Sequence, residues 1–282
     1  PFTIRELMTH TSGLTYGFIM QTPVDALYRE YNVDFQTADK PLAELVAQLT
    51  ELPLLAQPGA EWNYSVSTDV LGHLVEIWSG QDFETYLTEH VIEPLGMVDT
   101  GFWVPSSKAN RLATLYVSDR EGNLEAQTPD PNNPFYSDAT SKPAFFNGGG
   151  GLLSTAPDYL RFALMLANQG ELDGVRILKP ETLKMMRTNQ LPEGIDGISF
   201  FPGNQWGLGF AIINTPTPQM ESPRAKGEFY WFGVGGAWFG VHPDHDLVVV
   251  GMIQLLGGQG AGKARMISKK PAYEALLDAG DE

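Results

Sequence analysis

Tyr64 has the surroundings that a proton-transfer side chain needs. It sits in the polar stretch Glu61-Trp62-Asn63-Tyr64-Ser65-Val66-Ser67. Behind it, Gln57-Pro58-Gly59-Ala60 enforces a turn, because Pro fixes its own φ and Gly accepts conformations that other residues avoid. Ahead of it, Val70, Leu71, Leu74, Val75 and Trp78 recur at helical spacing, which predicts a buried helix. A tyrosine caught between a tight turn and a buried helix start is held rigidly, as a general acid or base must be. Without chemical company, a tyrosine in such a place is a packing residue. Two more islands could provide that company: the hydroxyl-rich turn Thr9-His10-Thr11-Ser12-Gly13-Leu14, and the glycine pair Gly235-Gly236 at the end of an apolar strand.

Other conspicuous residues read as structural. The run Gly148-Gly149-Gly150-Gly151 is not followed by Gly-Lys-Ser/Thr, so it is a turn rather than a phosphate loop. His10, among hydroxyl residues, reads as a hydrogen-bonded structural group. His242 and His245 flank a Pro-Asp turn without the further ligands a metal would need. Trp206, Trp231, Phe232 and Trp238 read as core or pocket wall.

The elements that must position these groups follow from capping and periodicity. Thr3-Ile4-Arg5-Glu6 has the form of a capping box ahead of Leu7-Met8. Tyr16 to Thr37 shows no clean period and reads as an irregular excursion. Pro41 opens a helix carrying Leu42, Leu45, Val46 and Leu49, and Gly80 ends the helix that follows Tyr64. Asp82 caps another, with Phe83, Tyr86, Leu87, His90, Val91 and Leu95 on one face and Gly96 as its stop. Pro105 to Asn147 reads as long loops with a short hairpin around Glu121-Gly122-Asn123. Thr155 and Asp158 form a second capping-box pattern, for a helix stopped by Gly170, and Pro180 starts a short helix. Beyond Gly203 the period changes. Trp206 to Ile213, Glu228 to Val234, Trp238 to His242 and Leu247 to Gln254 read as antiparallel strands, with a final helix over roughly Ala264 to Leu277 packed on them. The expected fold class is therefore α+β: a mainly helical region with long loops over 1–200, and an antiparallel sheet with a C-terminal helix over 201–282.

With 282 residues the chain buries a sizeable core. At 43% apolar and 18% charged residues it has the composition of a soluble globular protein. Its longest apolar runs are too short to span a bilayer. A formal net charge of −16 argues against nucleic acid or an anionic membrane as partner. The absence of cysteine excludes disulfides, thiolate metal sites and a cysteine nucleophile, while leaving both cytoplasmic and exported compartments open. The chain starts at Pro1 directly before a helix signal, so a preceding N-terminal part is expected.

The order of the islands resembles the serine hydrolases of the β-lactamase type: class C β-lactamases, penicillin-binding carboxypeptidases and the related esterases, with the esterase branch nearest. The resemblance is carried by Thr3 through Leu14, by Gly148 through Leu166 followed by Gly170-Glu171-Leu172-Asp173-Gly174, and by Val241-His242-Pro243-Asp244 ahead of Leu247-Val248-Val249-Val250. It implies a β-lactamase/transpeptidase-like fold, with an antiparallel sheet flanked by helices. It also implies acyl transfer, in which a serine paired with a lysine in Ser-x-x-Lys attacks a carbonyl and backbone N–H groups hold the oxyanion. Tyr64, completed by Ser65 and Val66, takes the place of the family's tyrosine motif. Val234-Gly235-Gly236 takes that of the Lys-Thr-Gly-like strand, with the Ala237 N–H as an oxyanion donor. Tyrosine at its ordinary pKa of ~10 is a poor base at neutral pH, so a neighbouring lysine is expected to favour the phenolate.

Ser-x-x-Lys itself is absent; Thr37-Ala38-Asp39-Lys40 has the spacing with Thr in the serine's place. The expectation is that the Ser and Lys precede Pro1. Val66 stands where β-lactamases often have Asn, and Val234 where they have Lys, and both changes favour a neutral ester. Val66, Val234, Gly235 and Gly236 are thus the expected substrate-binding positions, with Lys226 or Arg224 as possible substitute cations. Gly236-Ala237 runs almost directly into Trp238, where relatives have a few more small residues. The resemblance implies a small-molecule ester substrate and no metal or cofactor. A β-lactamase or D-alanyl-D-alanine peptidase, and a catalytically inert binding relative, are the alternatives.

Overall fold

Thr3 closes the first helix as its sequence predicts: its hydroxyl accepts from the Glu6 N–H at 3.2 Å while the Glu6 carboxylate takes the Thr3 N–H. The computed structural model describes residues 1–33, 40–119, 121–128, 138–217, 222–257 and 260–278, with side chains to 275. Thr37-Ala38-Asp39 lies outside the described residues.

Five helices form the first half: α1 (Ile4–Met8), α2 (Pro23–Glu30), α3 (Leu42–Leu49), α4 (Ser67–Ser79) and α5 (Phe83–Leu87), the last continued by a π-helical turn over Thr88–Ile92. The hairpin expected around Gly122 is present as β1 (Tyr116–Ser118) and β2 (Leu124–Ala126). Then come α6 (Ala156–Ala167), a small hairpin of β3 (Glu171–Leu172) and β4 (Val175–Arg176), and α7 (Pro180–Met186). The main sheet is antiparallel, in the order β5 (Asn204–Trp206), β6 (Ala211–Ile213), β7 (Phe229–Phe232), β8 (Trp238–His242) and β9 (Leu247–Gly251). A last strand, β10 (Leu255–Leu256), pairs parallel to β1, and α8 (Gly260–Asp278) follows. The helices and the antiparallel sheet make the α+β fold that the sequence predicts.

Alternation along the strands divides the sheet between two cores. Phe229, Phe239, Val241 and Ile212 face α6, with Ala163, Met165 and Leu166. Ala211, Ile213 and Tyr230 face the other way, with Trp206, Tyr273 of α8 and Trp62. A third core gathers Leu7, Leu14, Tyr28, Leu45, Val66 and Val70 from the helical half. Trp62 therefore carries the Tyr64 stretch into contact with the sheet.

Four details depart from the sequence reading. Residues 23–30, expected to be irregular, form α2, because Thr22 and Asp25 make a capping box and Asp25 is fully buried on four hydrogen bonds. Trp78, expected on the buried face of α4, is 62% exposed. The strand expected from Trp206 to Ile213 is two strands: a Cβ on Gly207 would lie 1.9 Å from the Met186 oxygen, and Gly209 has a φ of +88° that turns the chain. At α6, Thr155 caps the Asp158 N–H at 3.3 Å, but the Asp158 carboxylate turns instead to the Asp99 N–H and the Thr100 hydroxyl.

Candidate active site

Tyr64 is fixed first by backbone. The Asn63 N–H donates to the His10 carbonyl at 2.8 Å and the Val66 N–H to Thr15 at 3.2 Å, so the Tyr64 stretch lies against the turn after α1 like an added strand. That turn is also tied to the sheet, through Trp206 Nε1 donating to the Met8 carbonyl at 3.0 Å. Two sequence islands 50 residues apart thus become one support.

Beneath the backbone runs a chain of buried hydroxyls. His10 Nδ1 shares a hydrogen bond with Ser65 Oγ at 3.1 Å, Ser65 meets Ser67 at 2.8 Å, and Ser67 meets Ser12 at 2.9 Å. All four residues are buried. Burial strips the imidazole of solvent and pulls its pKa down to about 3, so His10 is neutral near pH 7. It adopts a φ of +55°, a left-handed conformation rare for non-glycine residues. The structural role expected for His10 matches these bonds.

Around the Tyr64 ring stand His10 at 5.0 Å, Tyr16 at 5.2 Å, Trp231 at 5.3 Å and Phe200 at 6.0 Å between centroids, with Trp62 stacked at 6.3 Å. The indole Nε1 of Trp231 donates to the Tyr64 hydroxyl oxygen at 3.4 Å. Burial raises the pKa of the phenol, the Trp231 bond opposes the rise, and the negative charge of Asp69 adds to it. No cation is among these influences. Asp69, in the first turn of α4, accepts the Gly149 N–H at 3.0 Å. A Cβ on Gly148 would lie 2.4 Å from the Thr68 carbonyl oxygen, so the glycine run is a close-packing surface for the start of α4.

The expected oxyanion turn joins β7 to β8. The Gly233 N–H donates to the Ala237 carbonyl at 2.7 Å and the Gly236 N–H to Gly233 at 3.0 Å. Gly236 has a φ of +95°, and a Cβ there would meet Ile253 at 2.5 Å. The Gly235 carbonyl accepts from Leu255 of β10 at 2.8 Å. Val234 projects outward, 60% exposed, while Val66 is fully buried beside Leu7 and Leu14. Tyr64 is linked to this turn through Trp231, three residues before Val234.

Lys226 and Arg224 do not stand near Val234. They precede β7, and the Lys226 carbonyl is bonded to His242 Nε2 at the far end of β8. Four strand residues, about 13 Å, separate them from the turn. Arg265 of α8 holds its guanidinium 4.2 Å from the centre of the ring of Phe232, the residue that leads into the turn. The rings of His242 and His245 lie 4.3 Å apart, tilted by 38°, and no group of three residues able to hold a metal occurs among the described residues.

Sequence reasoning missed Trp231 as a partner of Tyr64, and Asp69. For Asp69 a signal existed, since an acidic residue inside an apolar helix face requires a partner. Among the described residues no helix is long and apolar enough to cross a membrane.

Residues 1–269 match the family model described as Beta-lactamase. Protein Rv1367c of Mycobacterium tuberculosis is 35% identical over 98% of this chain and 68% of its own length. Esterase EstB of Burkholderia gladioli is 33% identical over 84% of this chain and 61% of its own. The solved structure of EstCE1, a hydrolase with promiscuous acyltransferase activity, superposes with a TM-score of 0.75 at 26% identity, over 94% of this chain and 72% of that one. The chain therefore belongs to the Beta-lactamase family.

Proposed function

We propose that this chain is the larger part of a serine hydrolase that cleaves carboxylic esters through an acyl-enzyme, its nucleophilic serine and activating lysine being supplied by sequence ahead of Pro1. The observation that carries the reading is the placement of the Tyr64 hydroxyl. It is set in aromatic surroundings, on a stretch held by the backbone hydrogen bonds of Asn63 and Val66, and is joined through Trp231 to the strand that leads into the Gly233–Ala237 turn. Tyr64 would take the serine proton during attack and return it to the leaving alkoxide, while the Ala237 N–H stabilises the oxyanion. Gly235 lets the substrate approach the backbone closely, with exposed Val234 in place of a group that grips a carboxylate, while the expected contact from Val66 is ruled out by its burial in the helical core. The likeness to an esterase and to a hydrolase with acyltransferase activity supports this choice.

A second reading, hydrolysis of β-lactams or D-alanyl peptides, draws on Arg265, a cation against Phe232, the residue that leads into the turn. The test compares, in the full-length protein, turnover of a short acyl p-nitrophenyl ester with that of a chromogenic cephalosporin. Faster ester turnover is expected, with Tyr64→Phe slowing acylation ~100-fold. Faster lactam turnover reverses the assignment, and turnover of neither substrate identifies a binding relative.

A further inference from the structure

An indole N–H can only donate. In its bond with Tyr64 the phenolic oxygen must therefore be the acceptor. The polarity is fixed by chemistry, and the phenol's own proton is left to point elsewhere. Trp231 is in turn immobilised: Trp206 packs edge-on at 4.7 Å, Phe232 stacks at 4.9 Å and Phe201 stands edge-on at 6.4 Å. Its backbone lies in the middle of the sheet, opposite Phe239 of β8.

We propose that Trp231 is a positioning residue for acyl transfer: it holds the Tyr64 oxygen as an acceptor and so directs the exchange of the Tyr64 proton toward the reacting serine and leaving group. The proposal rests on the acyl-transfer reading above. In the step concerned, the Tyr64 phenolate removes the serine proton as the Oγ–carbonyl bond forms. The phenol then gives that proton to the alkoxide as the ester C–O bond breaks, so no proton is gained or lost overall. A donor on the phenolic oxygen stabilises the anionic partner in the first half.

The titratable groups facing Tyr64 are His10 from the turn after α1, Tyr16 from the next loop and Asp69 on α4. His10 is neutral above about pH 3, and Asp69 opposes the phenolate. Of the groups acting on the hydroxyl, the Trp231 N–H is the one that favours its ionised form.

The experiment replaces Trp231 in the full-length protein with Phe. Because Phe leaves a gap, a second variant carries benzothienylalanine at position 231, which keeps the bicyclic shape and exchanges N–H for sulfur. Tyr64 ionisation is read as tyrosinate absorbance, by difference from Tyr64→Phe, and kcat/KM for a neutral ester is followed against pH. In both variants the Tyr64 midpoint and the acid limb of kcat/KM should move up together by about one pH unit, a roughly tenfold loss at neutral pH. An unmoved midpoint overturns the proposal, as does an equal loss of activity when the variants are made in the Tyr64→Phe background. Full activity of Tyr64→Phe alone would overturn the acyl-transfer reading instead, whatever the midpoint does.

Discussion

His10 Nδ1 and Ser65 Oγ, 3.1 Å apart and both buried, join the turn after α1 to the residue that follows Tyr64. The imidazole lies where water does not reach, and burial disfavours its charged form. The folded protein therefore resists protonating His10 until about pH 3, whereas the unfolded chain protonates it near 6.5.

The first prediction follows from that difference. Between these values the unfolded state binds more protons, so stability falls as the pH is lowered, by roughly 1.4 kcal/mol per unit for this one group. The contribution is complete above pH ~6.5 and lost on the way down to ~3. Asn tolerates the left-handed backbone and does not titrate. His10→Asn should therefore flatten this part of a denaturation-midpoint profile, and a profile as steep as that of the parent would assign the acid sensitivity to other groups.

At Gly148 the space for a side chain is already taken by the Thr68 carbonyl, 2.4 Å from an added Cβ. Gly148→Ala should destabilise by about 1–3 kcal/mol through overpacking. It should also lower ester turnover more than it lowers substrate affinity, because the start of α4 carries the Tyr64 stretch with it. Thermal melts together with separate kcat and KM values decide the point.

Val234 is 60% exposed and accepts a long side chain without repacking. Val234→Lys should strengthen binding of carboxylate-bearing substrates by ~3- to 10-fold, a charge-assisted hydrogen bond discounted for solvent, and leave neutral esters nearly unchanged. Inhibition constants for matched acid and methyl-ester ligands provide the measurement. Equal effects on both would show that the side chain acts by bulk alone.

Just before β7, Glu228 is buried at 1% exposure, with Lys269 and Tyr273 of α8 bonded to its two oxygens. Lys269→Met leaves that carboxylate unpaired and should cost about 3–5 kcal/mol. Adding Glu228→Gln should restore much of the loss. Urea midpoints of the single and double variants test the coupling, and additive effects would dissolve it.

Much of this fold was legible because its signals are local. The Thr3 box, Pro at 41 and 180, the turn at Gly122 and the alternation of β7 to β9 each act within a few residues. Residues 23–30 hid their helix because Asp25, a charge, occupies an inward position that only its capping hydrogen bonds make tolerable. Trp78 misled by obeying helical spacing past the point where α4 leaves its neighbours. At the candidate site the types were readable but the pairings were not. Ser12 meets Ser67 across 55 positions, and Trp231 meets Tyr64 across 167. No periodicity encodes such contacts; they follow from how the sheet closes against the helical half.

Gly240 shows what that closure demands of the end of the chain. A Cβ on it would lie 2.6 Å from the Glu228 carboxylate, so β8 gives up a side chain to seat a charge whose counter-ion, Lys269, arrives 41 residues after it in the sequence. Without α8 the sheet would hold that carboxylate stripped of both its partners. The C-terminal helix is thus part of the fold rather than a detachable tail, and a chain truncated before Lys269 should be destabilised although its strands are all present.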